Sequence, residues 1–171
     1  MVSPLTPYLR ALRRITIEAL ERIGGQIARA ERVFVMGNGG SAATANHFAG
    51  DLQRIGVTAI SLCANEAIIT RVGNDCGYET LFSTQLKEHK LGSKDVVIAI
   101  SASGASKNMI RAVGYAELQE AHSIALTGFG GGVLARVSRD RIVLSSHDYG
   151  VVEGVHSCIC HMLVDVLREI R

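Results

Sequence analysis

The sequence predicts an α/β fold, a three-layer sandwich in which helices cover both faces of a central parallel sheet of about five strands. Short apolar runs alternate with longer segments of helical periodicity, an order typical of parallel strands joined by right-handed crossovers. The runs are mainly apolar and do not alternate regularly with polar residues, which predicts burial on both faces of the sheet. Two of them end in loops rich in glycine or serine.

The elements follow in order along the chain. Residues 5–30 carry apolar side chains at helical spacing and predict one long N-terminal helix. The strands are predicted over residues 33–36, 57–62, 95–100, 123–126 and 141–144. Helices are predicted over residues 42–53, 79–89, 107–120 and 152–170.

Length and composition exclude several classes of protein. With 171 residues we expect a single domain over residues 1–171. The 47% apolar and 20% charged residues exclude a disordered or fibrous chain. A net charge of +2 is too small to indicate nucleic acid or membrane binding. Without a signal-peptide pattern or an apolar run near the length of about 20 residues of a membrane span, we expect a cytoplasmic protein with four reduced, mostly buried cysteines.

The first candidate loop follows the first strand, with the sequence Gly-Asn-Gly-Gly-Ser over residues 37–41. Glycines let backbone N–H groups approach an anion, and a serine at the start of a helix adds a hydroxyl. A plain tight turn is the alternative. The spacing matches neither the dinucleotide fingerprint nor the P-loop, so nucleotide binding gains no support. The candidate anion-binding residues are Asn38, Gly39, Gly40 and Ser41.

The second candidate loop contains Ser101, Ser103 and Ser106 around Gly104, again between a strand and a helix. Three hydroxyls at the start of a helix describe an anion cradle, whereas a simple helix cap, which is the alternative, needs only one serine. Lys107 would add a positive charge. Because the carboxyl ends of parallel strands share one edge, both loops are expected there, and a phosphomonoester with three acceptor oxygens fits them.

These motifs together resemble the sugar isomerase (SIS) domain and, within it, the phosphoheptose isomerases. The motifs are GNGGS followed five residues later by HFA, then VGND, ISASGAS and a last helix rich in histidine, within residues 30–165. The resemblance implies a flavodoxin-like SIS fold and a homotetramer with sites shared between subunits, in which the N-terminal helix of residues 1–30 packs. It also implies a sedoheptulose 7-phosphate-like substrate held by the two loops and isomerised through an enediol.

A second group of residues carries metal-binding chemistry. His47 and Asp51 lie one helical turn apart and share a face, where they form either a metal-binding pair or a surface pair. The last helix adds Glu153, His156 and His161. The resemblance implies a divalent metal, commonly zinc, at the positions of His47, Asp51, Glu153 and His161. Asp51 replaces a family glutamate, and Glu153 replaces a family glutamine.

Helix geometry restricts this metal site. Glu153 and His161 are separated by about 12 Å of helical rise. They share one metal only with extended side chains, with Glu153 in the turn before the helix, or through a neighbouring subunit. His156 is assigned to a supporting or core position.

The resemblance implies catalytic roles for some of the same residues. Asp51, with Glu153 as the alternative, is expected to be the base and His161 the acid. Asp75 either contacts sugar hydroxyls or belongs to a turn. Ala102 and Gly150 stand where the family has a threonine and an aspartate, so the sugar specificity is expected to differ. The alternatives to an enzyme are a phosphosugar-binding protein without turnover and a partner of the bacterial replication initiator.

Overall fold

A five-stranded parallel sheet with the order β2-β1-β3-β4-β5 forms the centre of the molecule. The computed structural model describes residues 3–170, so the first two residues and the last residue of the expected 1–171 domain lie outside the described residues. The strands are β1 (Val33–Gly37), β2 (Ala59–Ser61), β3 (Val96–Ser101), β4 (His122–Thr127) and β5 (Asp140–Val143). Each overlaps a predicted strand, so the α/β class and the strand count are confirmed.

Helices cover both faces of this sheet. Strand side chains alternate between two buried cores: Val33 and Val35 face one, whereas Phe34 and Met36 face the other. Helices α2, α3 and α8 pack on the first core, and α4, α5 and α6 pack on the second. The helices are α1 (Thr6–Leu12), α2 (Ile17–Arg29), α3 (Gly40–Arg54), α4 (Glu66–Cys76), α5 (Leu81–Glu88), α6 (Lys107–Leu118), α7 (Leu134–Val137) and α8 (Tyr149–Ile170).

The strand order reverses between β1 and β3. Strand β1 pairs with β2 on one side and with β3 on the other, where Gly37 lies opposite Ile100. In open parallel sheets, such a reversal opens a crevice at the carboxyl ends of the two strands. The loops that follow β1 and β3 are the glycine-rich and serine-rich loops, so the topology places both at this crevice.

The expectation of one long N-terminal helix is wrong, because two helices occupy this region and the long helix is the C-terminal α8. Helix α1 ends at Leu12, and α2 begins at Ile17. Between them Thr16 adopts an extended conformation, and its hydroxyl accepts a hydrogen bond from the Ala19 N–H. This N-cap starts a new helix, which the apolar periodicity alone did not reveal.

Helices α4 and α7 were not predicted, and the predicted helix of residues 79–89 begins with a 3-10 turn. Helix α4 begins after Asn65, whose side chain accepts a hydrogen bond from the Ile68 N–H and caps the helix. A 3-10 turn over Tyr78–Thr80 then leads into α5. Helix α7 is a single turn between β4 and β5. Helix α7 is too short for apolar periodicity to appear. In α4, Ile68, Ile69 and Val72 lie at helical spacing and face the second core, a signal that sequence reasoning missed.

Helix α8 is long and apolar enough, by length and composition alone, to cross a membrane, with a mean hydropathy of 1.4 in its most apolar window. This corrects the expectation that no apolar run approaches the length of a membrane span. However, 56% of the window is buried inside the protein. Ile159 and Leu163 lie fully within the core formed with α2 and α3. We therefore interpret α8 as a core helix.

All four cysteines are free thiols, but only Cys160 is fully buried. Cys76 and Cys158 are exposed, so the expectation of mostly buried thiols is wrong for these two. Burial raises the pKa of the Cys63 thiol, which donates a hydrogen bond to the Gly37 carbonyl at the end of β1. Cys63 thus helps to hold the strand end from which the first loop departs.

His156 occupies a core position on α8, as expected. It is fully buried, and neither ring nitrogen has a hydrogen-bond partner of good geometry among residues 3–170. Burial lowers the pKa of His156 to about 4, and the backbone of Thr127 opposes this only in part. The imidazole is therefore neutral at physiological pH, and protonating it inside the fold costs free energy.

We predict that replacing His156 reduces the acid sensitivity of the protein. The unfolded chain takes up this proton near pH 6.5 and the folded chain only near pH 4, so stability is lost as the pH falls through that window. For the wild type this amounts to about 2 kcal/mol between pH 7.5 and pH 5. In His156→Leu, urea unfolding should lose this part of the pH dependence, whereas the exposed-site variant His147→Gln should keep it. An unchanged slope in His156→Leu would contradict the assignment.

Candidate functional site

The loops after β1 and β3 line one cavity at the carboxyl edge of the sheet, with a volume of about 140 Å³. The loops contribute mainly hydroxyl and amide side chains, and helix α8 contributes the rest. The structure therefore brings Ser41 of the first loop together with Ser103 of the second. The lining residues are Asn38, Ser41, Ser101, Ala102, Ser103, Ser106, Tyr149 and Glu153.

The first loop is a close turn that delivers the start of α3 to this cavity. Gly39 has a φ of 57°, in the left-handed region that favours glycine. At Gly37, a Cβ atom would collide with the backbone of Ser41. Because α3 begins at Gly40, the positive end of the helix dipole lies beside the cavity. The glycines thus serve the turn, while Asn38, Ser41 and the helix end provide the groups suited to an anion.

The second loop is shaped by its own serines. The Ser101 hydroxyl accepts a hydrogen bond from the Gly104 N–H, and the Ser103 hydroxyl accepts one from the Ala105 N–H, both at 3.3 Å. Ser106 stands at the N-cap position of α6, but its side chain makes no capping hydrogen bond. Its hydroxyl is therefore available to a ligand, which argues against the simple helix cap considered above.

The cavity holds no positive side chain. Among the described residues that line it, Glu153 is the one charged group. Lys107, which was expected to add charge, instead donates to a Glu79 carboxylate oxygen at 2.9 Å, and Arg111 pairs with the other oxygen at 2.7 Å. A bound anion would therefore be held by neutral donors and the helix dipole.

A glycine-rich segment after β4, residues 128–132, supports the serine loop and was not singled out from the sequence. Gly104 has a φ of 62°, and a Cβ atom there would collide with the Gly131 carbonyl. The Gly128 N–H donates to the Ala102 carbonyl at 2.8 Å. The two loops therefore touch backbone to backbone, and side chains at the contact would separate them.

The amide of Asn38 is held from outside the first loop. Asn38 and Asn108 exchange reciprocal side-chain hydrogen bonds at 3.0 Å, and the Tyr78 hydroxyl donates to Asn38 Oδ1 at 2.9 Å. These contacts use one of the two Asn38 amide hydrogens and leave the other for a ligand. Sequence reasoning missed Asn108 and Tyr78, which lie 70 and 40 residues from Asn38.

Glu153 lies at the cavity and not beside the histidines. It belongs to the second turn of α8, so the option of a turn before the helix does not apply. A Cβ atom at Gly40 would collide with its carboxylate, which shows how closely α8 approaches the first turn of α3. Within one chain, the structure does not bring Glu153 to the other three expected metal ligands.

His47, Asp51 and His161 form a cluster farther along the same two helices. Asp51 Oδ2 lies 3.4 Å from His47 Nε2 and 3.4 Å from His161 Nδ1. The two imidazole rings meet edge to face, with centroids 5.2 Å apart. The Asp51 side chain is 14% exposed, whereas those of His47 and His161 are 61% and 54% exposed. The carboxylate is thus enclosed while the imidazoles reach the surface.

The donor set of this cluster fits a divalent metal. The three donor atoms all lie within 4.8 Å of one another. Ligand atoms about 2.0–2.1 Å from a tetrahedral ion are separated by about 3.4 Å, whereas hydrogen-bonded N–H···O pairs lie roughly 2.7–3.2 Å apart. Arg54, which sequence reasoning missed, donates to Asp51 Oδ1 at 3.2 Å and leaves Oδ2 facing the imidazoles.

Two other predicted positions lie outside the cavity. Asp75 is exposed on the last turn of α4, where it accepts a hydrogen bond from Asn74 at 2.8 Å. A side chain at Gly150 would meet the Asp148 carboxylate, which lies 3.3 Å from a Cβ atom placed there. Asp148 also caps α8 by accepting from the Val151 N–H. Ala102, by contrast, lines the cavity with a methyl group.

Similar proteins identify the family. The sequence matches the SIS domain over residues 10–128. It is 36% identical over 156 residues to the phosphoheptose isomerase of Geotalea daltonii, covering 88% of this chain and 81% of that protein. The chain belongs to the phosphoheptose isomerase family of SIS-domain proteins. The probable phosphoheptose isomerase of Thermoplasma acidophilum is 34% identical over 170 residues, covering 94% of this chain and 93% of that protein.

A solved phosphoheptose isomerase has the same fold. The structure of the enzyme from Neisseria gonorrhoeae superposes with a TM-score of 0.90 at 28% identity, covering 96% of this chain and 95% of that chain. The resemblance drawn from the motifs and the SIS fold it implied are therefore confirmed.

We predict that Gly104→Ala disrupts the cavity, because the new methyl group would meet the Gly131 carbonyl in a backbone conformation unfavourable for alanine. The free energy of unfolding should fall by about 1–3 kcal/mol. Binding of inorganic phosphate, measured by titration calorimetry, should weaken at least about tenfold, the equivalent of one broken charge-assisted contact.

Gly114→Ala is the matched control for this variant. Gly114 is exposed on α6 with open space around it, so alanine should stabilise the helix by about 0.5–1 kcal/mol and leave phosphate binding unchanged. If Gly104→Ala behaved like this control, the contact between the two loops would have no role in shaping the cavity.

Proposed function

We propose that this protein is an aldose–ketose isomerase of phosphosugars, with sedoheptulose 7-phosphate as the representative substrate. One observation carries the proposal: the cavity and the cluster lie one after the other along helices α3 and α8. The cavity lies where these helices start, and the His47, Asp51 and His161 side chains lie farther along them. A ligand whose phosphate occupied the cavity would extend its carbon chain toward the cluster.

The distance between the cavity and the cluster favours a sugar with a long carbon chain. His47 lies about 10 Å along α3 from Gly40, as the helical rise requires. An extended seven-carbon sugar spans about 10 Å from its first carbon to its phosphorus, with C–C bonds of about 1.5 Å, and a triose phosphate spans about half of that. A seven-carbon sugar phosphate could therefore reach the cluster with its carbonyl end while its phosphate stays between the serine loops.

The reaction in this proposal moves two protons and leaves all other atoms in place. One proton leaves C1 of the ketose for Asp51 and returns to C2, and a second moves from the C1 oxygen to the C2 oxygen through His161. His161 directs Nδ1 toward Asp51, which leaves Nε2 for the substrate oxygens. Arg54 orients the Asp51 carboxylate through Oδ1. Glu153, at the cavity, is the alternative base.

The cluster residues would hold the metal of this proposal, which is zinc. Bound by His47, Asp51 and His161, it would supply positive charge that stabilises the enediolate oxygen. Glu153 would join the set only through a neighbouring subunit, and in a single chain it faces the sugar instead. Asp75 would likewise contact the sugar hydroxyls only from a neighbouring subunit.

The proposal includes a cytoplasmic homotetramer of one-domain subunits. The imidazoles of His47 and His161 are more than half exposed in the single chain, and a second copy would shield them from water during the reaction. The N-terminal helices, which pack on α8, would take part in that assembly. Neither a nucleic acid nor a membrane is a partner in this proposal, in keeping with the net charge of +2.

A second candidate function is phosphosugar binding without turnover. The same exposure of the two imidazoles favours it, because a cluster open to water is poorly suited to stabilise an enediolate. Proton exchange separates the two candidates. In D2O, an isomerase incorporates deuterium into sedoheptulose 7-phosphate and yields the aldose, which NMR detects. Elemental analysis of the same sample measures the metal, and a protein that bound the sugar without exchange would support the second candidate.

We predict that sedoheptulose 7-phosphate stabilises the protein against heat through the serine loops. At a hundredfold excess over Kd, the melting temperature should rise by about 5–10 °C. The double variant Ser103→Ala and Ser106→Ala should lose this shift, because two of the hydroxyl donors in the cavity are removed. Ser93→Ala, at an exposed serine outside the cavity, should keep it. A full shift in the double variant would count against the anion cavity.

We also predict that His161→Ala stops isomerisation but still binds the phosphosugar. The variant loses the proposed acid while the cavity keeps its serines, so the thermal shift should remain. Deuterium exchange followed by NMR should fall by at least about a hundredfold, the usual size of a general acid–base contribution. His89→Ala, a partly buried histidine far from the cluster, is the control and should keep full exchange. Wild-type exchange in His161→Ala would discard the acid assignment.

A further inference from the structure

Tyr149 lines the cavity but belongs to neither loop and to no motif of the sequence. It is the first residue of α8 and lies beside the serines and Glu153 around the cavity. The residue is 58% exposed, and its hydroxyl makes no hydrogen bond to another described residue. A hydroxyl at the wall of a polar cavity, open on one side and without a partner, is free to bind a ligand.

The ring of Tyr149 packs against Phe129, a residue with an uncommon backbone conformation. Phe129 packs against it with ring centroids 4.6 Å apart and planes tilted by 44°. Phe129 has a φ of 49°, a left-handed conformation that is rare for a bulky residue, and its N–H donates to the Ser146 carbonyl at 2.9 Å. Backbone strain of this kind concentrates at binding sites. The contact with Phe129 restricts the orientations open to the Tyr149 ring.

The two sides of the cavity suit different parts of a sugar phosphate. The loops offer hydroxyls, an amide and a helix N-terminus, which suit the phosphate. Tyr149 and Glu153 lie one turn apart on the same face of α8. The Glu153 carboxylate repels a phosphate but accepts hydrogen bonds from sugar hydroxyls, so the α8 side of the cavity suits the sugar.

The cavity is too small to enclose a whole sugar phosphate. Its volume of about 140 Å³ is well below the roughly 300 Å³ at which ligand pockets begin. A ligand whose phosphate occupied the cavity would therefore extend its carbon chain beyond it, and the α8 side offers groups suited to sugar hydroxyls. The carbons nearest the phosphate would pass Tyr149 and Glu153 first.

We propose that the Tyr149 hydroxyl hydrogen-bonds a sugar hydroxyl next to the phosphate-bearing carbon and so helps determine which phosphosugar binds. The inference rests on the proposed phosphosugar function and adds a specificity-determining residue to it. Ala102 and Gly150 bring no polar side chain to this region. Tyr149 supplies a polar contact that these two positions lack.

Tyr149→Phe tests the inference, because phenylalanine keeps the ring contact with Phe129 and removes only the hydroxyl. By titration calorimetry, the affinity for sedoheptulose 7-phosphate should fall about fivefold, the usual effect of losing one neutral hydrogen bond. The affinity for inorganic phosphate and the melting temperature should not change. Tyr115→Phe, on α6 beside Lys87, is the matched control and should change neither affinity.

Each other result has a distinct meaning. An unchanged affinity of Tyr149→Phe for sedoheptulose 7-phosphate would overturn the inference and leave the proposed function intact. An equal loss for both probes would also overturn it, since the hydroxyl would then bind the phosphate. A wild-type protein that binds inorganic phosphate but no sugar phosphate would overturn the proposed function itself, and the inference with it.

Discussion

The close packing of α3 against α8 is the constraint on which the whole site depends. Near the N-terminal ends of both helices, the Glu153 carboxylate of α8 lies against Gly40, the first residue of α3. About three turns farther along α3, Asp51 lies between the imidazoles of His47 and His161. Both helices bury apolar side chains in the same core on one face of the sheet, and this shared core fixes the relative position of the two helix backbones that carry these residues.

Much of the fold and part of the site follow from local sequence patterns. Apolar runs predicted the central strands β1, β3 and β4 most clearly, because a strand buried on both faces leaves no polar alternation. The edge strands β2 and β5 are partly exposed and contain polar residues, and they were predicted from shorter apolar stretches. The glycine-rich and serine-rich loops were predictable because turn residues interrupt those runs. That both loops line one cavity followed from parallel strands sharing an edge. The spacing of His47 and Asp51 likewise predicted a shared helix face, and the structure places their side chains 3.4 Å apart.

The parts that escaped prediction depend on contacts between distant residues or on single capping bonds. The break before α2 rests on one hydroxyl of Thr16, with no glycine or proline to mark it. The position of Glu153 depends on where α8 starts: because the helix already includes Tyr149, about 12 Å of regular helical rise separates Glu153 from His161. Tyr149 meets Phe129 only because the loop after β4 folds back, and no spacing in the sequence encodes that contact.

The absence of lysine and arginine from the cavity lining of the described chain has a consequence for selectivity in a crowded cell. Exposed cationic surfaces attract every polyanion, and their attraction weakens as ionic strength rises, with a screening length of about 8 Å under physiological conditions. Short contacts from hydroxyls and amides act well within that length. Such a cavity discriminates by shape and donor geometry, so abundant nucleotides and nucleic acids gain little from their charge alone.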